Sequence, residues 1–183
     1  MRYLKVTAQD LSGNGQADSV LLRFYEKVCG QPDNLKFKAA ALDMTGDGRV
    51  DLRFGDVTGD GSENYLDEIL IKFFADAFLK LNWFNRGKSW HRYVTLRVKT
   101  FHEDGNPELV SLNFHQGSAV PINQTLVYRA AVGEMVDMKV TKVIRADVDT
   151  NRDGLIDEKD QELSRLLAFT FLNFKWYCSP LPL

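Results

Sequence analysis

Cysteine is nearly missing from this sequence. Its 183 residues include two, Cys29 and Cys178, so one disulfide is the most that can form, and no CxxC or Cys/His spacing points to zinc or thiol redox chemistry. Two semi-buried free thiols are expected. Long apolar runs are missing too. The richest stretch, Leu166 to Tyr177, is about a dozen residues long and is broken by Asn173 and Lys175, whereas a bilayer span needs roughly 20. No membrane span is therefore expected. Nor is there an excess of one charge. With 23 Lys+Arg against 25 Asp+Glu and a pI near 5.9, the balance argues against a nucleic-acid or anionic-membrane partner, which needs clustered cations. The opening MRYLKVTAQD lacks the basic end, apolar run and small-residue cleavage site of a signal peptide, which leaves export open. His91, His102 and His115 are the only histidines, and their spacing suits surface or packed groups better than metal ligands. No GxSxG, HExxH or P-loop pattern occurs.

What the chain does have is Asp-Gly loops. Three segments read Asp, apolar, Ser/Thr, Gly, Asp/Asn, Gly, x, x, Asp/Asn: Asp10 to Asp18, Asp43 to Asp51 and Asp56 to Asn64. A fourth, Asp149 to Asp160, follows the same logic. Calcium takes about 6 to 8 oxygens at roughly 2.3–2.6 Å, so a binding loop must turn alternate residues toward one point. Positions 1, 3, 5 and 9 then supply side chains, position 7 a carbonyl, and an acid at position 12 closes the shell. A glycine at position 6 allows the sharp turn.

The fourth loop meets these demands most fully, with Asp149, Asn151, Asp153, Gly154, the Leu155 carbonyl, apolar Ile156, Asp157 and Asp160. Asp56, Thr58, Asp60, Gly61, the Ser62 carbonyl, Asn64 and Asp67 form the next set, with fewer charges facing the ion. Asp43, Thr45, Asp47, the Arg49 carbonyl and Asp51 match positions 1 to 9, but Phe54 stands at position 12, and an ordinary hairpin turn explains them equally well. Asp10, Ser12, Asn14 and Asp18 are weaker still, since Asn14-Gly15 is a hairpin dipeptide. The fourth loop resembles the calcium loop of EF-hands, and with Asp in the closing position it looks like the dockerin variant. It departs from both upstream, where Met138 to Arg145 alternates like a strand. The strand-loop-strand versions resemble FG-GAP repeats locally, without the spacing of propeller blades. The resemblance implies calcium as the bound ion.

Self-similarity suggests a duplication. An offset of 93 residues joins Asp56 to Asp149, Asp60 to Asp153, Gly61 to Gly154, Asp67 to Asp160 and Trp83 to Trp176, and an offset of 90 joins Arg2-Tyr3 to Arg92-Tyr93. The expected fold is therefore α+β. It is an internal duplication of a (β-hairpin, β-hairpin, calcium loop, α-helix) unit with pseudo-twofold symmetry, as repeats 1–87 and 88–183 sharing one core. The first helix is expected to carry an apolar face of Leu66, Ile69, Leu70, Phe73, Phe74, Ala77, Phe78 and Leu81, with Gly87 as its stop. The second is expected over Lys159 to Tyr177. The aromatics Phe73, Phe74, Phe78, Trp83 and Phe84 are expected to pack in the core.

These features predict a calcium-stabilised structural or binding and adhesion module, set outside the cell or in a periplasm, where weak sites stay filled. Its partner is expected to be a protein or carbohydrate and not nucleic acid. Two alternatives are a calcium sensor that exposes an apolar surface, and a carbohydrate-active hydrolase with structural calcium. The hydrolase would need convergent carboxylates outside the loops.

Overall fold

A computed structural model describes residues 1–85, 90–118, 125–136, 139–146 and 148–178. The elements are β1 (Arg2–Gln9), β2 (Ser19–Glu26), β3 (Asn34–Leu42), β4 (Leu52–Phe54), α1 (Tyr65–Leu79), a 3-10 turn (Asn82–Phe84), β5 (Trp90–Phe101), β6 (Pro107–Ser118), β7 (Thr125–Val136), β8 (Lys139–Ala146) and α2 (Glu158–Asn173). The strands form one sheet in the order β4-β3-β2-β1-β5-β6-β7-β8, and every neighbouring pair is antiparallel.

Burial alternates along these strands, as in β1 and β2, and every second residue faces inward. Leu4 and Val6, Val20, Leu22 and Phe24, Val94 and Leu96, and Val110, Leu112 and Phe114 are all fully buried. They pack beneath α1, which contributes Ile71, Phe74 and Phe78, and α2, which contributes Leu167 and Phe171. Fully burying each such side chain stabilises the fold by about 1.5–3 kcal/mol. Neither helix is long and apolar enough to cross a membrane.

This architecture corrects the expectation of a duplicated α+β unit with pseudo-twofold symmetry. The hairpins are not separate modules, because β2 pairs with both β1 and β3. The β1–β5 seam, with Leu4 opposite Leu96 and Val6 opposite Val94, continues the sheet across the middle of the chain. The halves are also unequal: β4 has 3 residues and β8 has 8, while β1 and β2 have 8 each and β5 and β6 have 12. Aromatic residues after each helix reach across the seam. The Trp83 ring packs on Phe114, and Phe174 and Trp176 pack on Phe24. Neither half would have a complete core without the other.

Smaller expectations change as well. Helix α1 ends at Leu79, capped by Lys80, before the proposed stop at Gly87, which lies outside the described residues. Helix α2 ends at Asn173, not Tyr177, because the chain turns at Phe174 and Lys175 takes a left-handed φ of 52°. Phe73 is 61% exposed and Leu66 54%, so the first helix buries a narrower face than its periodicity suggested. Cys29 and Cys178 are free and exposed, not semi-buried.

Candidate functional site

The four loops share a common build in which the position-1 carboxylate gathers backbone N–H groups. In the first three these come from positions 4 and 6, and in the fourth from position 6 alone. Asp10 accepts from Gly13 at 2.6 Å and Gly15 at 2.7 Å, Asp43 from Gly46 and Gly48, and Asp56 from Gly59 and Gly61 at the same two distances. In the fourth loop Asp149 Oδ2 accepts from Gly154 at 2.9 Å. The position-5 oxygen of Asn14, Asp47, Asp60 and Asp153 accepts the N–H of position 7 in every case. For Asp153 the Leu155 N–H leads in holding its carboxyl below the usual range, with help from Asn151 and Lys159.

This curvature needs left-handed backbone at positions 4 and 6, which glycine adopts without a Cβ clash. Gly13, Gly46 and Gly59 supply position 4 at φ of 73–77°. In the fourth loop Arg152 takes that conformation at 61°, a strained choice for a side-chain-bearing residue.

The loops differ in which acid closes them. In the first two it is position 9: Asp18 accepts the N–H groups of Leu11 and Ser12, and Asp51 those of Met44 and Thr45. In the other two it is position 12. Asp67 accepts from Val57 and Thr58, and Asp160 from Thr150 and Asn151. Position 12 in these loops is also the third helical residue. Asp67 and Asp160 complete capping boxes with Asn64 and Asp157, the N-caps of α1 and α2. Both closing acids are completely buried. Burial works to raise the Asp67 pKa, but N–H groups from Thr58, Asn64 and Val57 outweigh it and hold the carboxyl below its ordinary value.

The sequence-predicted ligands are thus brought into common loops, but they are not all turned inward. Asn64 Oδ1 caps Leu66 at 2.9 Å, while its amide nitrogen faces Asp60 and the Ser62 carbonyl. The Lys159 ammonium stands 3.5 Å from Asp153. Among the described residues no group of three or more His, Cys, Asp or Glu stands in a metal-holding cluster. Two side-chain atoms of the fourth loop are left over: Asp149 Oδ1 is buried and has no hydrogen-bond donor, and Arg152 Nη1 is buried and has no acceptor. An unpaired buried carboxylate oxygen is costly unless a cation meets it. With Asn151, Asp153 and the Leu155 carbonyl in the same loop, the donor set is all oxygen, which suits a hard cation.

A cavity of about 760 Å³ lies between the first two loops and the helices, lined in part by residues to which the sequence assigned no binding role. Lys72, Phe73, Asp76, Lys80, Phe169 and Asn173 contribute to it. Asp76 is the one carboxylate outside the loops among the described residues lining it. It is engaged already, by the Val50 N–H at 2.8 Å and by Lys72 at 2.7 Å. The other carboxylates that line it, Asp18, Asp43 and Asp47, belong to the loops. Phe73 and Asp76 lie at i and i+3 on one helix face, the signal that could have flagged them.

No protein-family model, curated protein or solved structure matches this chain.

Proposed function

We propose that the protein binds calcium in the loops 149–160 and 56–67, with 43–51 as a weaker site, and that the ions brace a structural or binding module. The observation that carries this reading is Asp149 Oδ1, buried without a donor in the loop with the fullest oxygen set. A cation there would relieve the one unsatisfied acceptor of a carboxylate whose other oxygen is held by Gly154. A bracing role is favoured over a sensor because the capping boxes at Asn64 and Asp157 are formed and the acids that close them are buried. Sensors need helices that are free to reorient. For a dissociation constant near roughly 10 µM, millimolar calcium is about a 100-fold excess and adds about 2.7 kcal/mol per site. Such sites fill outside the cell and stay mostly empty in cytosol. Calorimetric titration with calcium after chelator treatment should reveal two dominant sites, and Asp149→Asn should remove one of them. Absence of any binding heat, together with an unchanged melting temperature in calcium, would overturn the proposal.

A further inference from the structure

The sheet face away from the helices carries an arrangement that the loops do not explain. Inward residues alternate with outward ones, so Lys5, Arg23 and their register partners point away from the core. Lys38 in β3 is opposite Arg23 in β2, Arg23 opposite Lys5 in β1, and Lys5 opposite Thr95 in β5. Thr95 is opposite Asn113 in β6, and Asn113 opposite Arg129 in β7. At about 4.8 Å per strand this row runs roughly 24 Å across six strands. Arg97 lies two residues from Thr95 on the same face. No carboxylate forms an ion pair with Lys5, Arg23, Lys38, Arg97 or Arg129 among the described residues. Asp33, at the β2–β3 turn, accepts the Tyr3 hydroxyl at 2.8 Å and pairs with Lys27.

Like charges directly opposite one another destabilise a sheet. Protection of an exposed edge, the usual structural reason for lysine on a strand, does not apply to β1 and β2, which lie inside the sheet. The cost is visible at Lys5, whose pKa is lowered first by burial and then by the charge of Arg23. A protein with a net charge of −2 has thus gathered cations on one flat face, which fits an extended anionic ligand.

The neighbouring aromatics narrow the chemistry. Tyr3 and Tyr25 stack on each other at 5.1 Å. The Tyr93 ring is covered by the Lys5 ammonium at 3.9 Å and by His115 at 4.5 Å. Ring faces taken up in this way are withdrawn from nucleobases, which need open aromatic platforms. What the face offers besides charge is hydroxyl and amide: Thr7, Thr95, Ser111 and Asn113. The geometry points to an anionic polysaccharide, its acidic groups meeting the row from Lys38 to Arg129 and its hydroxyls meeting Thr95, Ser111 and Asn113.

The test is fluorescence anisotropy with a labelled oligogalacturonate, compared with a neutral maltooligosaccharide of equal length, oligodeoxythymidylate and polyglutamate. The galacturonate should bind at least tenfold more tightly than the other three, and the binding should weaken as salt rises. Lys38→Glu combined with Arg129→Glu, both exposed, should weaken it tenfold or more with the melting temperature unchanged. Arg23→Gln should weaken it without lowering the melting temperature, since it removes a like-charge contact. Equal or tighter binding of the nucleic acid or the polypeptide, no uronate binding, or wild-type affinity in the charge-reversed variant would each overturn the proposal. The cations belong to the strands, so binding should persist in chelator while the far-ultraviolet circular dichroism is intact. Failure of the loops to take up calcium would leave this result standing.

Discussion

The backbone N–H of Val50 donates to Asp76 Oδ1 at 2.8 Å, tying the second loop to the last turn of α1 across 26 residues. Val50 is buried and its N–H has no strand partner to turn to, so the bond satisfies a group that would otherwise be stranded. Asp76→Ala should cost about 1–3 kcal/mol. Urea unfolding would measure this, and hydrogen exchange at Val50 should accelerate. An unchanged exchange rate would show that the bond does not hold the loop.

Asp67 and Asp160 each serve a loop and a helix start at once. Asp67→Asn keeps the shape but loses a charged acceptor of three N–H groups, and should destabilise the fold by about 2–4 kcal/mol. The folded pKa of Asp67 lies below the unfolded value of about 3.9. The ionised group therefore stabilises the fold above that value, and its contribution fades as pH falls from about 4 through the folded pKa. Acid unfolding in chelator should show a shallower slope in this window for Asp67→Asn than for the wild type.

Asp153→Ala and Asp47→Ala remove equivalent position-5 oxygens from two loops. The Asp149 loop is the one with an unpaired buried oxygen, whereas Asp43 is supplied by three backbone N–H groups. In millimolar calcium Asp153→Ala should melt lower than Asp47→Ala, and the gap should narrow in chelator. The reverse order would make the strand-loop-strand loop the more important site.

Arg152 holds a left-handed φ that its three counterparts give to glycine. Arg152→Gly should stabilise the calcium-free protein by about 1 kcal/mol. Gly55→Ala should do the opposite. At a φ of 117° a Cβ would stand 2.6 Å from the Lys38 carbonyl oxygen and 2.8 Å from Ala39 Cα, and a loss of about 3 kcal/mol or more is expected. Chemical denaturation of both variants distinguishes the two cases, and a stable Gly55→Ala protein would contradict the close approach of β3.

The loops could be read from the sequence because their chemistry is local. Asp149, Asp153 and Asp160 fall within one turn-forming segment, and no distant partner decides what they touch. The helices were legible for the same reason, apart from ends set by backbone turns such as that at Lys175. The continuous sheet was not, because the pairing of β1 with β5 depends on which strand edges meet, and no local pattern records that. The cation row was hidden in the same way. Lys5, Arg23 and Lys38 are 18 and 15 residues apart, and only the register places them side by side, so a balanced composition concealed a segregated surface. The closing roles of Asp18 and Asp51 were hidden as well, since these acids stand at position 9 and the loop pattern expects closure at position 12.

The indole of Trp176 donates to the carbonyl oxygens of Tyr3 and Tyr25, at 3.2 and 3.3 Å, and its ring meets Phe24 and Phe37 edge-on. The β1–β2 hairpin is thus finished by a side chain made 173 residues later than its partner in β1. Until that late segment emerges, Phe24 has its Phe37 neighbour in β3 but lacks the cover of Phe174 and Trp176. Synthesis therefore runs well ahead of closure, and a ribosome stalled before residue 176 would hold a chain that chaperones recognise and proteases cut.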